Sequence, residues 1–479
     1  MIFSSFNFII FFLALLAIYS TLKTVQQRAS LLLAGSLIFY ASWEPVYLIL
    51  LGVSLYINYR IYLYLLTNSS RFILTVGIIL NIGVLVFFKY MGMFFDTYLW
   101  LIPENNEQLM ILRPAWVDWI LPLGISFFTF QMLSALIDAY RGEWHRRVDF
   151  REWSLYVTYF PQLIAGPIVR ARQLFDQLEA LKPLNLDDVK IGTFIFIGGL
   201  IKKVVFADNL APFVEQLYAN PEQLDFIVSW LATIAFGLQI YLDFSGYSEM
   251  ALGLAYIMGI KLPRNFLYPY ISRNFSEFWT RWHITLSRWL RDYLYISLGG
   301  SRGTFKRTYL NLMITMLLGG LWHGASWSFM LWGGLHGLYL VMYHSLKYLY
   351  VSLGVTHKTE LGRWLSLLGI PVTFVAVSYA WVFFRAESFE SALVISSAMI
   401  GFSSTETVLS IRLYQLILLA LTFVLVMSEP FIVTYFQRVG VSAWWKCVPF
   451  YIRGIAYTIL ILFITIFGGT TQKFIYFDF

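Results

Sequence analysis

A single cysteine, Cys447, stands in 479 residues, which excludes an internal disulfide and a cysteine-built metal centre. Charge is also scarce. Asp, Glu, Lys and Arg make up 13% of the chain, half the ~25% of an ordinary soluble domain. There is no phosphate loop, Gly-x-Ser-x-Gly elbow, dinucleotide fingerprint or metal-ligand spacing, so a covalent Ser or Cys nucleophile has no local support. No Pro/Gly linker, internal repeat or low-complexity tract divides the chain. Apolar residues, by contrast, make up 59% and aromatics 19%, and the mean hydropathy is +0.67. A soluble protein of this size could not cover so much apolar surface with so few charges. The composition excludes a soluble enzyme, a disordered chain and a disulfide scaffold, and it points to an all-α polytopic membrane protein.

Spans need about 20 mostly apolar residues. Apolar segments lie near 3–21, 29–43, 46–66, 73–98, 117–138, 152–168, 190–212, 225–258, 308–350, 364–385, 389–402, 410–436 and 452–470. Two of them, 225–258 and 308–350, are long enough for two passes or for a pass plus a re-entrant piece. The total is roughly 11 to 13 transmembrane or re-entrant helices. The first segment lacks a basic leader and a small-residue cleavage site, so it reads as a retained span. No soluble domain fits between the spans, and residues 1–479 read as one integral-membrane domain. The prolines of Pro161-Gln162-Leu163-Ile164-Ala165-Gly166-Pro167 argue for a broken or re-entrant piece.

The net charge of +7 belongs to loops, not to nucleic-acid binding. Stretch 261–307 holds nine basic residues against Glu277 and Asp292, an excess equal to that of the whole chain. Such an excess marks a cytoplasmic loop. At 100° per residue, residues 275–295 form an amphipathic helix. One arc carries Phe278, Trp279, Trp282, Leu286, Trp289 and Tyr293, with His283 at its rim. The other carries Glu277–Arg281 and Arg288–Asp292 as i,i+4 pairs. Asn274 with Glu277 resembles a capping box, and Gly299-Gly300 supplies the stop.

Six histidines are present. His145 and His357 lie in charged loops. His323 is the sharpest candidate, because Gly319-Gly320-Leu321-Trp322-His323-Gly324 sets an ionisable ring in a glycine-loosened apolar segment. A neutral imidazole there could act as a general base. On an unbroken helix His336 would lie about 20 Å away, facing elsewhere, so a two-histidine metal pair is not expected. For His336 and His344 a structural role is favoured. Asp243 and Glu249 either line a cavity or satisfy neighbouring groups.

The runs Phe160-Pro161-Gln162-Leu163-Ile164-Ala165-Gly166-Pro167-Ile168, Asp243-Phe244-Ser245-Gly246-Tyr247-Ser248, Asn274–His283 and Trp322-His323-Gly324 resemble, in that order, the membrane-bound O-acyltransferases. Arg291-Asp292-Tyr293-Leu294-Tyr295, Leu298–Gly303 and the closing Phe474-Ile475-Tyr476-Phe477 resemble the alginate O-acetyltransferase branch. The matches are dense over about 160–340. The resemblance implies a helical bundle enclosing a funnel or tunnel, with His323 catalytic and His283 assisting. It implies a bacterial cell (inner) membrane enzyme that takes acetyl groups from a cytoplasmic thioester such as acetyl-CoA. Those groups would pass outward to a polysaccharide or to an extracytoplasmic partner acetyltransferase. Arg281, Arg288 and Arg291 are the candidates for gripping the donor's phosphates, Arg281 first among them. No resident cofactor or metal is expected. D-alanyl or other acyl transfer to an envelope polymer is the nearest alternative, and a transporter lined by Asp243, Glu249 and the histidines is the other.

Overall fold

The structure, a computed structural model, describes residues 1–101, 114–354, 359–402, 410–439, 447–468 and 474–475. His357 and the closing Tyr476-Phe477 lie outside them. Among the described residues every regular element is helical.

Six helices are long and apolar enough to cross a membrane: Tyr47–Thr67, Arg71–Lys89, Phe226–Ile257, Glu360–Arg385, Leu413–Tyr435 and Phe450–Phe467. The other apolar segments fold as shorter or interrupted helices, among them Phe6–Thr21, Ile125–Arg141 and Leu186–Ile201. Polar side chains start many of them. Ser5, Thr24, Ser70, Asp225, Thr304 and Ser326 each accept a hydrogen bond from an amide in the first turn, satisfying donors that lipid could not.

Segment 225–258, long enough for two passes, is one helix of 32 residues, Phe226–Ile257. No proline interrupts it, and its glycines serve packing. A Cβ on Gly192 would lie 2.6 Å from the Gly253 carbonyl oxygen, and one on Gly199 would lie 2.4 Å from that of Gly246. Small residues seven apart on both helices thus let two backbones touch, which substitutes for hydrophobic driving force in lipid. Segment 308–350 does split, into Phe305–His323 and Trp327–Ser352. Segment 152–168 breaks as its prolines predict, into Phe150–Thr158 and Phe160–Leu163.

Two buried clusters fill the bundle, and Phe226–Ile257 belongs to both. Its first half, up to Leu242, packs with Trp282, Phe329, Trp332 and Trp381. From Phe244 onward it packs with the N-terminal helices, Leu286, Trp289 and Trp322. The chain crosses this division several times, among them near Asp243, between Trp282 and Leu286, and between Trp322 and Phe329. His283 and His323 both stand on that seam.

Candidate active site

His323 ends its helix for local reasons. Gly324 is extended, and Ser326 starts the next helix by accepting a hydrogen bond from the Phe329 amide at 3.3 Å. A Cβ on Gly324 would meet the Phe329 ring at 2.1 Å, and one on Gly333 would meet the Met316 carbonyl oxygen at 2.2 Å. The Trp-His-Gly corner is thus clamped by close backbone packing. The His323 ring is 2% exposed, with the rings of Trp332 and Phe384 at 5.0 and 5.4 Å.

His283 departs from the expected geometry. The helix foreseen over 275–295 is broken into Phe275–Arg281, Ile284–Trp289 and a wide turn, Leu290–Tyr295. Competing backbone bonds explain the break, because the Leu267 amide donates to the Arg281 carbonyl at 2.9 Å and the Ile284 amide to that of Asn265 at 2.8 Å. His283 adopts the left-handed conformation, φ 40°, a strained choice for a non-glycine residue and one that clusters at functional sites. Its Nδ1 accepts from the Leu286 amide at 3.4 Å, which leaves the proton on Nε2. That fully buried Nε2 has no hydrogen-bond partner among the described residues. The two imidazole rings are 6.4 Å apart, centre to centre.

Two cavities lie in this region, one touching His323 and the other reaching Thr285, two residues from His283. The smaller, about 50 Å³, is lined by His323, Trp322, Lys89, Ser126 and Ile164, with mostly apolar neighbours. Lys89 Nζ donates to the carbonyls of Trp322 and His323 at 2.6 and 3.1 Å, and the Tyr90 hydroxyl donates to that of Leu321 at 2.6 Å. These two donors satisfy carbonyls that the end of the histidine helix leaves orphaned. The larger cavity, about 310 Å³, is lined by Arg170, Arg288, Arg291, Asp292, Gln173, Thr285, Ile168 and Pro263. Ile164 borders the first and Ile168 the second, so the proline-broken segment walls both. The Ile168 amide donates to Thr285 Oγ1 at 3.0 Å, fixing that wall two residues from His283.

The three candidate arginines separate. Arg288 and Arg291 share the larger cavity. Arg281 lines neither cavity, pairing with Glu277 at 2.8 Å and donating to the Leu267 carbonyl. The expected Arg288–Asp292 pair does not form; the wide turn directs Asp292 to Arg170 and Arg291. Burial opposes ionisation of Asp292, but the hydrogen bonds and charges of those two arginines hold its carboxyl below the usual range.

His336 also departs from expectation. Because the chain turns back at Gly324, one indole separates it from His323: the Trp332 ring lies 5.0 Å from one imidazole and 4.8 Å from the other. Among the described residues no group of three or more His, Cys, Asp or Glu is placed to hold a metal ion. Asp243 and Glu249 are paired. Lys203 Nζ lies 2.7 Å from both Asp208 and Asp243, and Lys202 Nζ lies 2.6 Å from Glu249 and 2.5 Å from Glu429.

Sequence reasoning passed over Lys89 and Tyr90. A lysine closing an apolar run is ordinarily read as snorkelling to the interface, and only the tertiary fold shows whose carbonyls it meets. Arg170 was visible only as the residue after the proline segment.

The family model of the membrane-bound O-acyltransferases matches residues 63–352. The chain is 40% identical over 410 residues to the Azotobacter vinelandii protein named "Probable alginate O-acetylase AlgI", covering 84% of this chain and 78% of that one. It is 38% identical over 405 residues to the peptidoglycan O-acetyltransferase of Helicobacter pylori, covering 78% and 74%. With the teichoic acid D-alanyltransferase of Bacillus subtilis, identity is 28% over 282 residues, covering 56% and 69%.

Proposed function

The chain belongs to the membrane-bound O-acyltransferase family, and from that premise we propose that it carries acetyl groups from a cytoplasmic thioester to an extracytoplasmic polysaccharide, with His323 as general base. It is a multi-pass membrane O-acyltransferase. The observation that carries the reading is the pair of buried imidazoles, 6.4 Å apart, at the seam of two cores. A confined cavity touches His323, and a basic one shares its wall.

Acyl transfer from a thioester to a hydroxyl needs a base for the alcohol and donors for the developing oxyanion. His323 takes the hydroxyl proton as the acceptor oxygen attacks the acyl carbon. The tetrahedral intermediate collapses, and the departing thiolate takes the proton back, so no acyl-enzyme forms. His283 assists through Nε2–H, a buried donor with no acceptor among the described residues. Arg170, Arg288 and Arg291 attract the phosphates of acetyl-CoA or a comparable thioester donor. Arg281 instead braces the first of the two short helices. The acceptor is an alginate-like polymer or a partner acetyltransferase on the far side of a bacterial inner membrane.

The test uses the full-length protein in lipid nanodiscs, with labelled acetyl-CoA and an oligomannuronate acceptor. His323→Ala should insert normally and transfer less than about a tenth of the label, since general bases contribute ~10²–10⁴-fold. Transfer above that level contradicts the assignment. Orientation is tested with Ser301→Cys in a Cys447→Ser background. Intact cells should resist an impermeant thiol reagent, and labelling before lysis would refute a cytoplasmic basic cavity.

A further inference from the structure

The smaller cavity carries information about which acyl group it admits. Twelve residues line it, and Lys89 is the one that carries a formal positive charge. None is a carboxylate. Lys89 Nζ sits between the Trp322 and His323 carbonyls at 2.6 and 3.1 Å, at the negative end of the histidine helix. Gly124, another lining residue, sits at φ +68° and opens the helix Ile125–Arg141 with no side-chain cap. That helix presents its positive end, including Ser126, to the same space. The volume, about 50 Å³, exceeds the ~30 Å³ share of one liquid water and is well below the ~150 Å³ that holds benzene. Leu121, Leu123, Phe127 and Ile164 close the rest with hydrocarbon.

We propose that Lys89 is a specificity-determining residue: facing the His323 cavity, it admits a short uncharged acyl group and excludes an aminoacyl group, whose ammonium would be forced beside its own. This rests on the reading of His323 as the reacting base and adds what that reading leaves open, the discrimination between acetyl and aminoacyl donors. An aminoacyl ammonium needs a carboxylate or free carbonyls to replace its water. The cavity supplies no carboxylate, and the Trp322 and His323 carbonyls are already taken by Lys89. Like charges set together in a partly desolvated space penalise the wrong partner strongly. The positive wall that repels an ammonium also suits the negative charge that develops on an acyl oxygen.

Glycyl and propionyl groups are nearly isosteric and differ chiefly in charge, which makes them the discriminating pair. S-acetyl-, S-propionyl- and S-glycyl-N-acetylcysteamine are offered at pH 6.5 to the full-length protein, and kcat/KM is read from each thioester consumed. The wild type should use the glycyl thioester about 100-fold less well than the propionyl one. Lys89→Gln keeps a donor for the carbonyls but removes the charge, and it should narrow that gap at least about ten-fold while leaving the acetyl-to-propionyl ratio unchanged. Lys89→Arg should keep the gap. An unchanged gap in Lys89→Gln, or a wild type that uses both thioesters equally, overturns the proposal. Should Lys89→Gln prove inactive, the inert amides N-propionyl- and N-glycyl-cysteamine replace the thioesters, and thermal stabilisation reads the same preference without turnover. His323→Ala is assayed in parallel. If it still turns over, the base assignment fails while the glycyl–propionyl gap still reports on Lys89.

Discussion

Two regions of this bundle bury ionisable groups among apolar side chains, and they do so in opposite ways. Around Lys202 and Lys203 every charge has a counter-charge: Lys203 lies 2.7 Å from Asp208 and Asp243, and Lys202 holds Glu249 and Glu429. The Tyr241 hydroxyl and the Ile475 amide complete those carboxylates. Neither of the two cavities touches the cluster. Around His323 a cavity is lined by Lys89 and Ser126, and the buried Nε2 of neighbouring His283 has no hydrogen-bond partner among the described residues. Burial alone therefore does not mark a reactive group. Closed pairing is how a bundle tolerates charge, whereas a buried donor without an acceptor and a cavity on the adjoining histidine mark a place prepared to bind something.

The comparison breaks if the two regions respond alike to substitution. The largest effect should be catalytic: His323→Ala should lower acyl transfer by ~10²–10⁴-fold with little change in melting temperature, read on purified protein. Next, Lys203→Met strands two buried carboxylates and should destabilise the fold by about 3–5 kcal/mol, seen as lost abundance and a lower melting point. Arg288→Ala with Arg291→Ala should raise the donor KM about ten-fold or more, because each removes a charge-assisted contact worth ~1.5–3 kcal/mol, and leave kcat largely intact. The smallest effects belong to the loop ion pairs. Arg281→Lys should be nearly silent, since the pair with Glu277 is partly exposed and surface pairs contribute ~0–1 kcal/mol. For Asp292, whose carboxyl is held below its usual range, the pairing stabilises the fold above the unfolded pKa near ~3.9. That contribution is lost as pH falls through the depressed folded value. Asp292→Asn should therefore lower the melting point at neutral pH and leave it unchanged in strong acid.

Much of this arrangement could be read from the residues. Apolar segment lengths gave the helical class, the prolines at 161 and 167 gave the broken piece, and the glycines around His323 marked its corner. What escaped the sequence is where backbone competitors and long-range contacts decide. The periodicity of 275–295 is truly helical, yet hydrogen bonds from residues 265–267 pull His283 into the left-handed region. Helical spacing put His336 about 20 Å from His323, but the turn at Gly324 brings it within one indole. Asp243 and Glu249 stood out as charges in an apolar run, and the lysines that answer them lie some forty residues away in sequence. Lys89 and Tyr90 are more than two hundred residues from the carbonyls they hold.

The central claim is that the histidine seam is the reactive region and the lysine–carboxylate cluster is structural. Turnover per folded molecule, measured side by side for His323→Gln and Asp208→Asn, tests it most directly. Asp208→Asn should melt earlier, while its surviving folded molecules transfer acetyl at close to the wild-type rate. His323→Gln should fold normally and be nearly inert. A folded but inactive Asp208→Asn protein, or a His323→Gln protein that still transfers acetyl, would contradict the account.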